Sequence, residues 1–233
     1  MDSPLVLSII IPVLNEAEEI ENLLLSLQPI RGRNSELIVV DGGSSDATLE
    51  RAAGLCDQLL ESPAGRAKQM NCGAAMAQGD QLLFLHADTR LPLALIRGDM
   101  KIPREGWGFF PVSLSGEHWQ LRWVEEGINW RSVVTSVATG DQAIFCNRAL
   151  FAQVQGYPDI VLMEDVLISK RLKKLCKPEL LDERVLTSSR RWEANGIFRT
   201  VVTMWWLRFV FWLGCKPETV ARQYNRLKSR AKI

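Results

Sequence analysis

The 233-residue sequence lacks several patterns that would each assign it to a particular class of protein. Its five cysteines are odd in number and form no CxxC pair, which argues against a disulfide framework or a zinc site and suits a reducing compartment. Lysine and arginine total 28 against 27 for aspartate and glutamate, so the charge gives no reason to expect nucleic acid as a partner. The first residues, Met-Asp-Ser-Pro, carry no basic region or cleavage site. We therefore expect no signal peptide and a cytoplasmic protein.

The first part of the chain alternates apolar runs with amphipathic segments. Runs rich in branched apolar residues predict buried strands at 5–12, 36–40 and 81–85, with a further short strand at 59–62. Helical spacing predicts intervening helices at 17–27, 47–55 and 65–78, the second with Ser44 or Ser45 as its N-cap. This order predicts an α/β fold with a doubly wound, mostly parallel sheet.

Polar residues follow three of the predicted strands, at the edge where parallel strands present their carboxyl ends to a ligand. They are Asn15 and Glu16, Asp41, and the pair His86 and Asp88. Because side chains alternate along a strand, we expect His86 and Asp88 to project to the same side. A carboxylate placed there can hold a divalent cation against a phosphate-bearing ligand. In the alternative interpretation, Asp88 caps a turn and His86 packs in a core.

The stretch after the second strand, residues 41–46, is glycine-rich but does not have the GxGxxG spacing of a dinucleotide site. Its glycines would let a ligand approach the backbone closely, or the stretch is an ordinary turn between strand and helix. Arg66 lies near a predicted helix start, where it either meets phosphate oxygens or is solvated. The residues alone do not decide whether the stretch 41–46 approaches a ligand or is an ordinary turn. They also do not decide whether Arg66 meets phosphate oxygens or is solvated.

The second half of the chain holds all eight tryptophans, so we expect the two halves to have different roles. A strand is predicted at 107–114, and Pro111 restricts it to an edge or a bulge. A helix follows at about 119–137, and a polar turn at 139–142 leads into another strand.

Three segments of the first half together resemble a known family. They are SIIIPVLNEAEEI at 8–20, ELIVVDGGSSDAT at 36–48 and LLFLHADT at 82–89. In this order they resemble the nucleotide-sugar half of a family 2 glycosyltransferase with the GT-A fold. The resemblance implies a nucleotide-diphosphate sugar as donor, and Mg²⁺ or Mn²⁺ as cofactor with Asp88 as its ligand. His86 stands where the family usually has an aspartate that contacts the ribose. The donor-binding residues that the resemblance implies are Pro12, Asn15, Glu16, Asp41 and Arg66.

Two acids of the second half carry the rest of the resemblance. Glu164 and Asp165 open a predicted helix, where acids complement the helix dipole without any catalytic role. However, Gly140-Asp141-Gln142 followed about 20 residues later by Glu164-Asp165 resembles the acceptor half of the same family. By that resemblance Asp165 is the general base for the acceptor hydroxyl, and Glu164 supports it. The acceptor-side residues that it implies are Gly140, Asp141, Gln142 and Trp192.

An arginine pair, Arg190 and Arg191, follows a predicted strand at 184–186. The resemblance implies that one of them faces the diphosphate, to which the planar guanidinium is suited. The alternative is a surface pair beside a packed Trp192.

Together these residues predict a metal-dependent inverting glycosyltransferase that moves a sugar to a hydroxyl. Inversion is expected because one base and no enzyme nucleophile give direct displacement at the anomeric carbon. The aromatic second half suits a sugar ring or an apolar acceptor such as a polyprenol or a carotenoid. A nucleotidyltransferase would need a glycine-rich basic loop directly after the first strand, and residues 13–16 are not one. A non-catalytic protein that binds nucleotide sugars stays an alternative because of His86.

We expect one glycosyltransferase domain at 1–195, with a nucleotide-sugar half at about 1–100 and an acceptor half at about 101–195. A helical extension follows at 196–233. Its apolar stretch at 196–214 is short for a membrane span and contains Arg199 and Arg208.

The extension carries an apolar stripe at helical spacing, formed by Phe198, Val202, Trp205, Phe209 and Trp212. Three alternatives are open for this stripe: it packs on the domain, docks a second subunit as a homodimer through 197–213, or lies at a membrane surface. Packing in a core or against a subunit is the commoner fate of such a stripe. The tail after it holds six lysines and arginines against one glutamate, Glu218, which fits an anionic membrane surface. The basic residues are Lys216, Arg222, Arg226, Lys228, Arg230 and Lys232. The protein is therefore either free in the cytoplasm or attached to the inner face of the membrane.

Overall fold

The computed structural model describes residues 7–213, together with 215 and 219. Four parallel strands form one half of a seven-stranded sheet, in the order β3-β2-β1-β4. They are β1 (Leu7–Val13), β2 (Ser35–Asp41), β3 (Gln58–Glu61) and β4 (Gln81–Phe84). The predicted parallel sheet is confirmed. Residues 5 and 6, where the first predicted strand begins, lie outside the described part.

The helices between these strands cover both faces of the sheet, as the predicted doubly wound fold requires. They are α1 (Ala17–Leu27), α2 (Thr48–Ala52) and α3 (Arg66–Met76). Side chains alternate along β1, so Ile9 packs in the core with α1 while Ile10 packs on the opposite face with α3. Every residue of β1 and β2 is buried, since helices cover both sides.

Three further strands extend the sheet beyond β4, in the order β4-β8-β6-β9. β8 pairs antiparallel with both β4 and β6, and β9 pairs parallel with β6. These strands are β6 (Trp107–Phe109), β8 (Phe145–Asn147) and β9 (Glu179–Leu180). The helices of this region are α4 (Leu93–Arg97), α5 (Trp119–Thr135), α6 (Arg148–Gln153) and α7 (Glu164–Leu172), and a 3-10 turn spans Gly140–Gln142.

A second, three-stranded sheet has the order β5-β10-β7. Its strands are β5 (Thr89–Arg90), β7 (Val112–Leu114) and β10 (Val185–Thr187). The single strand predicted at 107–114 is therefore wrong, because β6 and β7 belong to different sheets. The chain changes sheet at Pro111, which has no N–H to continue a ladder.

Two helices end the described part, α8 (Arg190–Asn195) and α9 (Ile197–Trp212). The inner face of α9 places Leu207 and Val210 in a small core with Val137, Met163 and Val166.

The predicted stripe lies on the opposite face of α9, and its members Phe198, Val202, Trp205 and Phe209 are exposed. Of the three alternatives for the stripe, packing on its own domain therefore does not apply to these four residues. The Trp212 side chain and the basic tail fall outside the described part. Among the helices that the structure describes, none combines the length and the apolarity needed to cross a bilayer.

Candidate active site

The loops that follow β1 and β2 are joined by reciprocal hydrogen bonds. Asn15 adopts a left-handed conformation with φ of 55°, which asparagine tolerates better than most residues. Its backbone N–H donates to the Ser44 hydroxyl at 2.9 Å, and its Oδ1 accepts from the Ser45 N–H at 2.8 Å. The ends of the two central strands therefore form one rigid edge.

Asp41 is buried at the end of β2. Its carboxylate accepts the backbone N–H groups of Gly43 and Ser44, each at 2.8 Å, and the hydroxyl of Ser44. The prediction that Ser44 or Ser45 caps the next helix is wrong, because α2 has Ala47 as its N-cap and the Ser44 hydroxyl is bound to Asp41. Sequence reasoning thus missed the part that Ser44 plays at this edge. The signal was present, since an aspartate two residues before a glycine favours an Asx turn.

Pro12 is buried in β1 opposite Val40. The missing N–H of Pro12 leaves no ladder incomplete, because β4 pairs with β1 only from Leu7 to Ile10.

Four charged side chains surround the space beyond this edge. Glu16 is half-buried, and burial followed by the nearby negative charge of Asp88 raises its pKa, while Arg190 and Arg66 oppose the rise. Arg190 is exposed and forms an ion pair with Glu19 at 3.0 Å. Two cations and two anions thus lie within electrostatic reach of one another, an arrangement suited to a ligand with charged phosphates. The side chain of Arg191 lies outside the described part.

Asp88 lies in a turn and not on a strand. Since β4 ends at Phe84, the expectation that His86 and Asp88 project from one strand is wrong. The turn is fixed from the second sheet, where the N–H of Ser188 donates to the carbonyl oxygen of Asp88 at 3.1 Å. The carboxyl group of Asp88 stays partly exposed.

No cluster of three histidine, cysteine or acidic side chains within 7–213 forms a ready-made metal site. Asp88 nevertheless fits a Mg²⁺-type cation, which is held by one or two carboxylates together with substrate phosphates and water.

His86 links this turn to the second half of the chain. A side chain at Gly140 would have its Cβ 2.7 Å from Nε2 of His86, so the imidazole lies directly against the glycine. The backbone N–H of Gly140 in turn donates to Oδ2 of Asp165 at 2.8 Å. Two contacts, that of His86 with Gly140 and that of Gly140 with Asp165, therefore connect the turn that carries Asp88 with the predicted base.

The turn around Gly140 is held from inside the protein. Gln142 is fully buried, and its Oε1 accepts from the N–H of Thr139 at 3.0 Å and from the hydroxyl of Ser132 at 2.7 Å. Gln142 therefore supports the turn. Asp141 differs, because its Oδ1 is buried and has no hydrogen-bond partner among the described residues.

Glu164 and Asp165 begin α7 as predicted. Burial raises the pKa of Asp165, and hydrogen bonds from the N–H groups of Gly140 and Val166 oppose that rise. Burial, and then the charge of Asp165, raise the pKa of Glu164 to about 7. The nearby Arg66 lowers the pKa of Glu164 and also that of Glu16, so this arginine lies between the two halves of the site.

Two arginines approach the site from the helices α5 and α9. Burial, and then the charge of Arg208, lower the pKa of Arg131 to about 10, while Asp141 and Asp165 oppose this shift. Arg208 also lowers the pKa of Asp165. Sequence reasoning did not place Arg131 or Arg208 near the base. Trp192 is half-buried on α8, two residues after Arg190.

A cavity of about 290 Å³ lies elsewhere, between β6 and α5, with Phe109, Asn129 and Val133 in its wall. Of the predicted site residues only the buried Gln142 borders it. The acids and arginines instead converge on the open edge beyond β1, β2 and β4.

Residues 8–97 match the model of the family described as "Glycosyl transferase family 2". Over this segment the chain is similar to glycosyl transferase family 2. The segment carries the strand ends with Asn15, Glu16, Asp41 and Asp88.

Curated relatives match over a similar part of the chain. A "PGL/p-HBAD biosynthesis glycosyltransferase" of Mycobacterium bovis is 40% identical over 91 residues, which cover 36% of this chain and 36% of the relative. A "Dolichol-phosphate mannosyltransferase" of Pyrococcus furiosus is 32% identical over 96 residues, which cover 38% of this chain and 27% of the relative. The match thus spans about a third of these family 2 relatives.

Solved structures resemble this chain over a larger part. The S. aureus TarS 1–349 structure in complex with UDP-GlcNAc has a TM-score of 0.60 at 18% identity, covering 78% of this chain and 58% of that one. The mannosyltransferase PcManGT from Pyrobaculum calidifontis, in complex with GDP-Man and Mn²⁺, has a TM-score of 0.57 at 20% identity, covering 80% of this chain and 57% of that one. The fold of this chain is GT-A.

Proposed function

We propose that this protein transfers a sugar from a nucleoside-diphosphate sugar to an acceptor hydroxyl, with inversion at the anomeric carbon and with a divalent cation. The observation that carries the proposal is the contact of His86 with Gly140, because the N–H of this glycine also donates to Asp165 and so connects the Asp88 turn with the proposed base. The names of relatives and the nucleotide sugars bound in structures of the same fold agree with this activity.

On the donor side, Asp88 would hold the cation, and Glu16 lies close enough for the charge of Asp88 to raise the pKa of Glu16. Mg²⁺ or Mn²⁺ supplies charge neutralisation on the diphosphate leaving group when it is bound. Arg66 and Arg190 provide positive charge on the same side, and a guanidinium can donate two parallel hydrogen bonds to a phosphate. We assign the base and ribose contacts to the rigid edge formed by Asn15, Asp41 and Ser44.

On the acceptor side, Asp165 takes the proton of the attacking hydroxyl. Two backbone N–H groups, from Gly140 at 2.8 Å and from Val166 at 2.7 Å, orient its carboxylate. Burial raises the pKa of Asp165, which makes the carboxylate a better proton acceptor than an exposed aspartate. The oxygen of the acceptor attacks the anomeric carbon as the bond to the diphosphate breaks, so the configuration inverts.

The buried Oδ1 of Asp141 and the neighbouring Arg131 lie beside Asp165 and supply polar contacts for the acceptor. We place Trp192 at the margin of the same cleft. The same proposal assigns residues from about 1 to 100 to a nucleotide-sugar half and residues from about 101 to 195 to an acceptor half.

The proposal is tested first by thermal shift with a panel of sugar nucleotides, each with and without Mn²⁺. A donor present at 100 times its dissociation constant raises the free energy of unfolding by about 2.7 kcal/mol. Asp88→Asn is expected to abolish the dependence of that shift on Mn²⁺. Asp99→Asn is the matched control, since Asp99 is exposed and is not one of the predicted site residues.

The second test is turnover of the donor that binds, measured as release of nucleoside diphosphate. Asp165→Asn is expected to lower turnover by roughly 10²–10⁴-fold while donor binding is kept. Wild-type turnover in this variant would refute the base assignment. Donor binding without turnover in the wild-type protein would indicate a non-catalytic binder. Release of inorganic diphosphate from a nucleoside triphosphate supplied with a sugar 1-phosphate would indicate a nucleotidyltransferase.

A further inference from the structure

The helices α5 and α9 both turn aromatic side chains toward solvent. On α5, Trp119, Trp123 and Trp130 are 69%, 76% and 70% exposed. These residues and Val134 recur at intervals of 4, 7 and 4, so at 3.6 residues per turn they fall within an arc of roughly 60°. The helix thus presents a stripe of three tryptophans that its own domain does not cover.

The outer face of α9 is also apolar. Phe198 and Trp205 are 80% and 74% exposed, and Val202, Trp206 and Phe209 are exposed on the same side. At 3.6 residues per turn these five residues fall within an arc of roughly 100° that holds no charged residue of the helix. Arg199 and Arg208 lie on either side of that arc. We call the exposed residues of the two helices the aromatic face, since α5 and α9 are neighbours in the fold.

This amount of exposed aromatic surface is unusual for a protein that works free in water. Monomeric proteins rarely expose apolar patches larger than a few hundred Å² unless the patch binds something. Tryptophan in particular is favoured at the boundary between water and lipid, where its ring is buried and its N–H stays hydrated. The composition of the aromatic face therefore fits the interfacial region of a bilayer.

The charge around the aromatic face fits an anionic surface. Arg199 is exposed at one edge of the α9 arc, and a long arginine side chain can extend to the headgroup layer. The sequence after α9 adds six lysines and arginines between 216 and 232 against the single acid Glu218. Each basic residue near an anionic bilayer contributes about 1 kcal/mol to binding.

The aromatic face lies next to the acceptor side of the site. The inner face of α9 packs on Met163 and Val166, the residues that flank Glu164 and Asp165. On the same helix, Arg208 is close enough to Asp165 to lower its pKa. A helix with its side chains is about 10 Å thick, so a surface against the outer face of α9 is within reach of the base.

We propose that the aromatic face of α5 and α9 docks on an anionic lipid bilayer, and that the acceptor is a hydroxyl carried by a lipid in that bilayer. The docking stands on the exposed residues and the charge alone, whereas the assignment of the acceptor rests on the proposed function. A second copy of this chain is the competing occupant, which the experiment distinguishes.

The test measures co-flotation of the full chain with vesicles of phosphatidylglycerol and phosphatidylcholine, and with vesicles of phosphatidylcholine alone. The wild-type protein is expected to float with the anionic vesicles and to be released by 0.5 M salt, roughly the range in which surface charge is screened. Brominated lipid is expected to quench its tryptophan fluorescence. Failure to bind the anionic vesicles would overturn the proposal.

Two paired variants test the aromatic face. One combines Trp119→Gln with Trp123→Gln, and the other combines Phe198→Gln with Trp205→Gln. Each is expected to lower vesicle binding at least roughly tenfold, since each removes two large side chains from the lipid. The matched control is Leu25→Gln with Leu93→Gln, whose side chains are 51% and 63% exposed on α1 and α4. Equal binding by the control and the paired variants would contradict the assignment of the surface.

Sedimentation velocity without lipid tests whether a second copy of this chain covers the aromatic face. A wild-type dimer that the paired variants dissociate would overturn the bilayer proposal in favour of a second copy. Donor binding and donor hydrolysis are measured in the same variants and are expected to be unchanged. A wild-type protein that turns over the donor but does not bind vesicles would count against docking alone, while a wild-type protein that binds vesicles but does not turn over any donor would count against the proposed function alone.

Transfer to two different alcohols tests the assignment of a lipid as the acceptor. The paired variants are expected to lose transfer to a long-chain alcohol embedded in vesicles and to keep transfer to a short, water-soluble alcohol. Equal loss with both alcohols would overturn the lipid acceptor.

Discussion

The backbone N–H of Gly140 donates to Oδ2 of Asp165 at 2.8 Å, and the same glycine leaves no room for a side chain because the ring of His86 lies against it. One residue thus fixes both the orientation of the carboxylate and its distance from the turn that carries Asp88. A glycine is needed here for close approach, since φ at Gly140 is not in the left-handed region.

Gly140→Ala is expected to lower donor turnover by about 10²-fold, because displacement of a reacting group by about 1 Å is enough for a loss of that size. The added methyl group would lie 2.7 Å from Nε2 of His86, so either the imidazole or the turn must move. The measurement is turnover per folded protein, with the folded fraction taken from circular dichroism.

Gly127→Ala is the matched control for that variant. Gly127 lies within α5 and has nothing within 4 Å of an added Cβ, so alanine is expected to leave turnover unchanged and to stabilise the helix by up to about 1 kcal/mol. Adding His86→Ala to Gly140→Ala removes the clash, and partial recovery of turnover is expected. Strictly additive losses in the double variant would show that the two residues do not act on one another.

The sequence predicted the sheet because the strands at its centre are uniformly apolar. The consecutive residues Ile9, Ile10 and Ile11 indicate a buried strand. The order of strands and helices then leaves few alternative folds. The second sheet could not be predicted in the same way. Its strands are two or three residues long, and β5 and β10 pair across almost one hundred residues, so no local pattern marks them.

Glu164 makes stability depend on pH. Its pKa is raised from an ordinary value of 4.5 to about 7, so the folded protein holds this proton more tightly than the unfolded chain. The free energy of unfolding should therefore fall as the pH rises from 4.5 to 7, by roughly 3 kcal/mol from this group. Glu164→Gln removes the titrating proton, and we expect the variant to be more stable than the wild type at pH 8 and similar to it at pH 4.5. Urea unfolding at both pH values measures the difference.

Glu105→Gln serves as the control for that comparison, because Glu105 is exposed. The wild type and Glu105→Gln should show the same dependence of stability on pH, because they differ only in surface charge. A Glu164→Gln variant that is no more stable than the wild type at pH 8 would contradict the burial that raises the pKa of Glu164.

Arg190→Gln is expected to raise the KM for the donor at least roughly tenfold with little change in stability. The side chain is 56% exposed and its ion pairs with Glu18 and Glu19 are solvated, so their loss costs about 1 kcal/mol or less. Arg184→Gln is a close control, since Arg184 is 42% exposed and pairs with Glu126 at 2.8 Å. If both variants change the KM equally, general surface charge and not a contact at the site accounts for the effect.

Ser44→Ala should weaken donor binding and lower the free energy of unfolding by about 1–2 kcal/mol. The hydroxyl donates to the buried Asp41 and accepts from the N–H of Asn15, and both partners lose a hydrogen bond in the variant. Ser62→Ala is the control, since the Ser62 hydroxyl makes an exposed local bond to the carbonyl oxygen of Pro63. A Ser44→Ala protein with unchanged stability would show that Asp41 is satisfied without it.

The candidate site was predictable where its residues follow strands in the chain. Asp41 and Asp88 come directly after apolar runs, and Asp165 opens a helix at the family spacing. The contacts of Gly140 with His86 and of Arg208 with Asp165 were not predictable, because they join segments more than forty residues apart. The outward direction of Trp119 and Trp123 also escaped prediction, since helical spacing shows that residues share a face but not which face is buried.

Asp88 and Arg190 sit on two segments that are fastened together. The Thr89 and Thr187 hydroxyls lie 3.0 Å apart, and the Ser188 N–H holds the Asp88 carbonyl oxygen at 3.1 Å. The backbone segments that carry the carboxylate and the guanidinium are thus joined, so a shift of one segment is passed to the other. If the proposed donor contacts both side chains, we expect the two contacts together to select the length of its phosphate chain.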